Sequence, residues 1–150
     1  MTWITLPYPI SANRYWRAIV IRGHAMMAPT SEAKKYKRDV GLLANAAGLR
    51  VSRERMVLEV RLYPNRPLDF AKRAARDPDR WDDTVQCLDL GNCEKVLSDA
   101  LNGIAWVDDK QLRRIVLERM EPDAGGARLE IRITELTVTP IAPQLFAAAG

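Results

Sequence analysis

The residues best suited to chemistry in this chain of 150 residues lie between positions 89 and 109. The stretch Asp89-Leu-Gly-Asn-Cys-Glu-Lys95 is followed by Asp99 and then by the adjacent pair Asp108-Asp109. Carboxylates, an amide and a lysine are thus gathered within a short length of chain. Carboxylate oxygens are preferred ligands of Mg²⁺, which in proteins often binds substrate phosphates as well. The pattern therefore indicates a magnesium site that handles phosphate.

A helix must hold most of these residues. Apolar side chains over residues 93–104 recur with the spacing of one helix face, which predicts a helix from about Asp89 to Asn102. Asp89 stands at its N-terminal end, where its oxygens can cap the helix or face a metal. The polar face of the helix carries three candidate side chains: Asn92, Lys95 and Asp99.

The remaining elements predict the fold class. Alternating or β-branched segments predict strands at residues 3–6, 15–21, 56–63, 112–120 and 128–136. A second amphipathic segment, capped by Thr30 or Ser31, predicts a helix to about Ala47. We expect the last two strands to form a hairpin with a longer loop. The order β-β-α-β-α-β-β predicts a single α+β domain, a mixed β-sheet with two helices packed on one face.

The domain is expected to cover residues 1–138, with a flexible C-terminal tail at residues 139–150. Within the domain, residues 64–86 are polar and charged and predict a basic insertion loop, with a candidate short helix at Leu68–Arg76. No apolar run reaches the roughly 18 residues of a membrane span, and no clear signal peptide precedes the first strand. We therefore expect a cytoplasmic protein with no membrane segment.

Charge and metal-ligand content narrow the function further. The net charge of +4 is modest, but basic residues are clustered around the acidic stretch. Such a distribution suits a metal-dependent nuclease, in which cations hold the phosphate backbone. A zinc site needs about four ligands, and the two cysteines and single histidine do not supply them. The candidate DNA-binding residues are Arg14, Lys34, Lys35, Arg73 and Arg76.

The same stretches resemble a known family, the RusA-type Holliday junction resolvases of bacteria and their phages. The resemblance covers most of the chain and depends on the order and spacing of its parts. These parts are Ile4-Thr-Leu-Pro-Tyr-Pro-Ile-Ser-Ala-Asn-Arg-Tyr15, the helix at Ser31, Asp89-Leu-Gly-Asn-x-x-Lys-x-x-x-Asp99, Trp106-Val-Asp-Asp-Lys-Gln111 and the strand Arg128-Leu-Glu-Ile-Arg-Ile-Thr-Glu135. The family pattern at the helix is Asp-x-Asp-Asn-x-x-Lys, with a further acid in the later Asp-Asp pair.

The resemblance implies roles for individual residues. The implied catalytic residues are Asp89, Lys95 and Asp109. The implied metal ligands are Asp89 and Asp109, with Asp108 as a further candidate. Asn92 matches the motif asparagine and would support the site. Asp99 would either support it too or simply pair with Lys95 on the surface.

One position departs from the family pattern. Gly91 stands where the family has its second aspartate, and glycine has no side chain to bind a metal. Another acid could fill the gap, and the nearest in sequence are Asp108, Glu94 and Asp83. Alternatively, the site works with fewer protein ligands and more water, which Mg²⁺ tolerates, or the protein binds junctions without cutting them efficiently.

The resemblance implies Mg²⁺-dependent hydrolysis of phosphodiester bonds in branched DNA, in recombination and repair. It also implies a homodimer, whose twofold symmetry suits a four-way junction. Two other functions stay open: a non-catalytic junction-binding protein with a degenerate site, and a nuclease for other branched or flapped DNA. All nuclease interpretations expect a cation between the start of the second helix and the acidic turn that follows it.

Overall fold

The computed structural model describes residues 2–137, so the predicted tail at 139–150 lies outside the described residues. In chain order the elements are β1 (Ile4–Pro7), α1 (Ala12–Tyr15), β2 (Trp16–Ile21), β3 (His24–Pro29), α2 (Ser31–Ala46), β4 (Met56–Tyr63), α3 (Phe70–Arg76), α4 (Leu90–Leu101), a 3₁₀ turn (Asp109–Gln111), β5 (Leu112–Arg119) and β6 (Arg128–Glu135).

Four strands form a mixed sheet in the order β1-β6-β4-β5. β6 pairs antiparallel with both β1 and β4, whereas β4 pairs parallel with β5. A parallel pair needs a long crossover connection, and the chain between β4 and β5 contains α3, α4 and the 3₁₀ turn. The acidic motif and the later Asp-Asp pair therefore both lie in this crossover.

The helices cover one face of this sheet and confirm the predicted fold class. Along β4, every second residue is buried, beginning with Met56, so one face of the strand meets the core. Helices α2 and α4 each bury an apolar stripe, and both stripes join the same hydrophobic core as the buried sheet residues. The opposite face is polar, as the bidentate pair of Arg132 with Glu59 at 2.7 and 2.9 Å illustrates.

The predicted hairpin of the last two strands is wrong, because β4 lies between them. The two strands differ in what they can bury. β6 buries Leu129, Ile131 and Ile133 in alternation, which suits a central strand. β5 has no buried residue and carries Arg113 and Arg114, which suits the charged edge that it forms.

The ribbon of β2 and β3 was only half predicted, since the sequence indicated a strand at residues 15–21 and none at residues 24–29. Its two strands pair antiparallel, from Trp16 opposite Pro29 to Ile21 opposite His24. Arg22 and Gly23 form the connecting turn with φ angles of 51° and 78°. Positive φ at both central residues is the geometry of a two-residue hairpin turn whose twist matches paired strands.

No helix within residues 2–137 is long and apolar enough to cross a membrane.

Candidate active site

Helix α4 is preceded by the first acid of the motif, Asp89, which acts as its N-cap. The Asp89 carboxylate accepts a hydrogen bond from the backbone N–H of Asn92 at 3.2 Å and another from its side-chain amide at 3.1 Å. The helix N-terminus carries partial positive charge, which also favours a carboxylate there. Asn92 thus fixes the orientation of Asp89, and its supporting role in the site stays a prediction.

A cavity of about 300 Å³ lies beside the rest of α4. Three of the predicted residues line it: Lys95 and Asp99 from the helix, and Asp109 from the 3₁₀ turn. The other lining residues are Trp16, Glu94, Ser98 and Asn102. The structure therefore brings the predicted lysine and the later acid together, although half of α4 and a loop lie between them in the chain.

Asp89 is placed differently from the other candidates. It is exposed and does not line this cavity. It precedes Lys95 by six residues, which corresponds to roughly 9 Å along a helix axis. Among residues 2–137, no three His, Cys, Asp or Glu side chains form a group that could hold a metal. The expected cation between Asp89 and the acidic turn therefore stays a prediction.

The donor chemistry of the cavity nevertheless suits a hard divalent cation. Its polar groups include the carboxylates of Glu94, Asp99 and Asp109 and the side-chain amide of Asn102. Mg²⁺ is usually held by one or two carboxylates, with water and substrate phosphates completing its octahedron. A complete protein cage is therefore not required, and the oxygen-rich wall fits such an ion.

The two acids of the Asp108-Asp109 pair differ in environment. Asp108 caps the 3₁₀ turn: its carboxylate accepts from the N–H of Lys110 at 2.9 Å, and its own N–H donates to Gln111 Oε1 at 3.0 Å. The hydrogen bond from Lys110 lowers the pKa of the Asp108 carboxyl. Gln111 also donates to the carbonyl of Ser52 at 2.7 Å, which ties the turn to the body. Asp108 therefore shapes the turn from which Asp109 reaches the cavity, and its predicted metal ligation stays a prediction.

Asp99 is held by a buried tyrosine rather than by the lysine one turn away. No ion pair joins Lys95 and Asp99 within the part of the chain that the structure describes. Instead, the hydroxyl of Tyr15 donates to Asp99 Oδ2. The tyrosine is only 1% exposed. Burial and the nearby Asp99 raise the pKa of the Tyr15 hydroxyl above its ordinary value. Tyr15 is thus a core residue that orients one wall of the cavity.

We expect the Tyr15→Phe variant to lose about 1–2 kcal/mol of unfolding free energy near neutral pH, because Asp99 loses its donor. The raised pKa in the folded state means that the Tyr15 contribution is fully present below the ordinary tyrosine pKa of 10.0 and declines as the pH rises above it. The difference between wild type and variant should therefore shrink in alkaline solution. Urea unfolding at neutral and alkaline pH would measure this.

Tyr63→Phe is the matched control, because the Tyr63 hydroxyl makes no hydrogen bond among the described residues. Equal stability of Tyr15→Phe and wild type at neutral pH would show that the hydrogen bond contributes nothing.

Gly91 lies in the first turn of α4 and is exposed. A Cβ atom built on it would meet nothing closer than Asp89 Oδ1 at 3.9 Å. Residues four apart share a helix face, so a side chain at this position would project on the same side as Lys95. The space for the aspartate missing from the motif is therefore open.

Of the three acids proposed to fill this gap, only Glu94 lines the cavity. Its carboxylate accepts a hydrogen bond from the Ser98 hydroxyl at 3.0 Å. Asp83 belongs to the insertion, and Asp108 caps the 3₁₀ turn.

The candidate DNA-binding residues lie outside the cavity. Arg14 and Arg73 line a larger cleft between the N-terminal loop and the insertion. Lys34 and Lys35 are exposed on α2, and Arg76 is exposed at the end of α3. Three of them make surface ion pairs: Arg14 with Glu32 at 2.8 Å, Lys35 with Asp39 at 2.7 Å and Arg73 with Asp69 at 2.9 Å. Exposed pairs of this kind contribute little to stability and leave the cations accessible to phosphate.

The chain matches known proteins over most of its length. The model of the endodeoxyribonuclease RusA family matches residues 7–134, which include α1, α4 and the 3₁₀ turn. The crossover junction endodeoxyribonuclease RusA of Escherichia coli K12 is 31% identical over 134 residues, covering 89% of this chain and 93% of the relative. The corresponding proteins of Enterobacteria phage 82 and Shigella sonnei match to the same extent, also at 31% identity over 134 residues. With a family match over most of its length and relatives covered nearly end to end, the chain belongs to the RusA family of endodeoxyribonucleases.

Proposed function

We propose that this protein is a Mg²⁺-dependent endonuclease that resolves four-way DNA junctions by phosphodiester hydrolysis. The observation that carries the proposal is the cavity in which Lys95, Asp99 and Asp109 meet. A lysine ammonium group beside carboxylates that can bind a metal ion suits a reaction at phosphate. The relatives at 31% identity bear the name crossover junction endodeoxyribonuclease, which supports the same substrate class for this chain.

Each candidate residue has a separate role in the proposed reaction. Asp109 and Asp89 would hold Mg²⁺, with Asp108 as the remaining candidate ligand. When bound, the ion supplies Lewis-acid polarisation of the phosphate and lowers the pKa of a bound water. Lys95 neutralises charge that develops on the phosphate oxygens. Asn92 keeps the Asp89 carboxylate in one orientation through its two hydrogen bonds.

The carboxylates of the cavity are also held in place. The buried Tyr15 holds Asp99, so this carboxylate does not need to reorganise when substrate arrives. The capped 3₁₀ turn does the same for Asp109. Preorganised groups of this kind accelerate a reaction because their positions are set before charge develops.

We further propose that the active form is a homodimer acting in recombination and repair. A four-way junction is resolved by two symmetric cuts, and a twofold dimer presents two equivalent sites to it. Arg73 and Arg76 on the insertion, together with Arg14 and with Lys34 and Lys35 on α2, would hold the DNA backbone without reading its sequence.

Removal of the metal is the first test. Purified protein is incubated with a fluorescently labelled four-way junction in Mg²⁺ or in EDTA. We expect paired nicks in Mg²⁺ and none in EDTA, with the junction still retarded in a gel under both conditions. Retardation without cleavage at any Mg²⁺ concentration would instead establish the non-catalytic binder, the alternative that Gly91 and the lack of a three-ligand group among residues 2–137 favour.

Substrate preference needs a separate competition. Unlabelled four-way junction, flapped DNA and linear duplex compete with the labelled junction for cleavage. The proposal expects the four-way junction to compete best, and stronger competition by flapped DNA would assign the enzyme to that substrate.

A further inference from the structure

A cleft that borders the insertion has a volume of about 900 Å³. One wall is the N-terminal loop, including Tyr8 and Arg14, and the other is the insertion, including Asn65, Arg73 and Gln86. Binding clefts for small molecules and cofactors have volumes of roughly 300–1,000 Å³, so this cleft has room for a nucleotide.

The insertion that forms this wall is folded and anchored rather than a loose loop. Trp81 is 7% exposed, and its indole N–H donates to Glu121 at 2.5 Å. Arg119 at the end of β5 donates to the carbonyls of Asp82 and Val85 at 3.1 and 2.9 Å. These bonds connect the insertion to the sheet across more than thirty residues of chain. The wall of the cleft is therefore preformed, which reduces the entropic cost of binding.

The chemistry of the cleft suits a nucleotide. Arg14 and Arg73 line it, and no Asp or Glu is among its lining residues. Each arginine makes an exposed ion pair, with Glu32 and Asp69 respectively, which a phosphate can replace at little cost. Guanidinium groups are suited to phosphate because of their planar array of donors. Asn65 and Gln86 add side-chain amides, which can bond to base edges, and Tyr8 adds an aromatic surface.

The cleft also adjoins the proposed active site. Its lining reaches Leu88, the residue before Asp89, and the N–H of Leu88 donates to the Tyr8 hydroxyl at 2.6 Å. The segment at the end of α1 connects the cleft with the cavity. Arg14 lines the cleft, and Trp16, two residues later, lines the cavity that contains Lys95. From the N-cap Asp89 to Lys95 the helix advances about 9 Å, a length that a DNA strand covers in a few nucleotides.

We propose that this cleft binds an unpaired segment of the DNA strand being cut, a few nucleotides from the scissile phosphate. The inference rests on the proposed nuclease function and assigns the insertion a role in holding the substrate strand. Arg73 and Arg14 bind its phosphates, and Asn65 and Gln86 contact its exposed bases. The cleft therefore selects DNA whose strands separate at a branch point over continuous duplex.

Fluorescence anisotropy with a labelled single-stranded oligonucleotide tests this directly, and does so without cleavage. Arg73→Ala should weaken binding several-fold and reduce the salt dependence of log K by about 0.7, the value for one phosphate contact on a single strand. Gln86→Ala should weaken binding with no change in that slope, because an amide contact releases no counterion. Gln86 makes no side-chain hydrogen bond among the described residues, so this variant should fold normally.

Lys72→Ala is the matched control, since Lys72 is exposed on the same helix α3 and does not line the cleft. It should leave the salt slope for the oligonucleotide unchanged. Equal slopes for Arg73→Ala and Lys72→Ala, or competition by linear duplex as strong as by single strand, would overturn the cleft proposal. Junction cleavage by the wild type is measured separately, and its absence would overturn the proposed nuclease function. If the wild type cleaves junctions but Arg73→Ala binds the oligonucleotide as tightly as the wild type does, only the cleft proposal is overturned.

Discussion

The Asp109→Asn variant is expected to lose junction cleavage by at least about 100-fold while it keeps junction binding. Asp109 is exposed and lines the cavity with Lys95, so it contributes little to the core. Asparagine has nearly the same shape and leaves the 3₁₀ turn intact, because Asp108 supplies the cap. What the substitution removes is the negative charge, and a hard cation such as Mg²⁺ depends on that charge.

Single-turnover cleavage of a labelled junction, together with gel retardation, would measure the two effects separately. Glu118→Gln provides the matched control, since it removes an exposed carboxylate from β5, the strand that follows the turn. The Asp108→Asn variant shows which acid of the Asp108-Asp109 pair is the metal ligand. Asparagine caps as well as aspartate, so this variant should cleave almost normally, and the opposite ranking of the two variants would transfer the ligand role to Asp108.

The Gly91→Asp variant is expected to cleave at least about tenfold faster than wild type when Mg²⁺ is limiting, because it adds a third carboxylate beside the site. The structure offers room for that side chain, with the nearest atom 3.9 Å from the added Cβ. A carboxylate in the first helical turn is also favoured by the helix dipole. The gain should come mainly from tighter metal binding, so it should diminish at saturating Mg²⁺.

Gly91→Asn separates charge from shape, since it fills the same space without a negative charge. Cleavage rates measured over a series of Mg²⁺ concentrations, with metal affinity from calorimetry, would compare the two variants. If both variants cleave at the wild-type rate, then the site already has all the carboxylates that it uses, and Glu94 becomes the first residue to test.

Local patterns in the sequence predicted the elements that depend on local physics. The bounds of α4 differ from expectation by one residue at each end, because its apolar stripe and N-cap are both encoded within the segment. β4 has the predicted bounds, since its strict alternation reflects one buried face. The prediction of a mixed sheet with two covering helices is also confirmed, because the apolar faces of these strands and helices are visible in the local sequence pattern.

Long-range pairings were beyond the reach of such patterns. Nothing in the loop between β5 and β6 indicates that it crosses over β4 instead of closing a hairpin. The residues of β3 lack alternation and end in Pro29, so its pairing with β2 depends on the turn at Arg22 and Gly23. The insertion looked like a loop because its anchor, Trp81 on Glu121, joins residues 40 positions apart.

In the candidate site, too, the local features were predicted and the long-range contacts were not. Lys95 and Asp109 were predicted and lie on one cavity, whereas the part played by Tyr15 was not predicted. Its partner Asp99 is 84 positions away in sequence, and a buried tyrosine carries no signal for a particular acceptor. The different environments of Asp108 and Asp109 arise from the hydrogen bonds of one capped turn, which two identical adjacent residues cannot reveal.

The position of β6 has a consequence during synthesis of the chain. β6 is the last strand along residues 2–137, yet it lies between β1 and β4 and supplies the pairing that connects them. A nascent chain on the ribosome therefore cannot close its sheet until residues 128–135 have emerged. Helix α4 and the acidic turn would lack a finished support until then, so a partly translated or prematurely terminated product should have no nuclease activity.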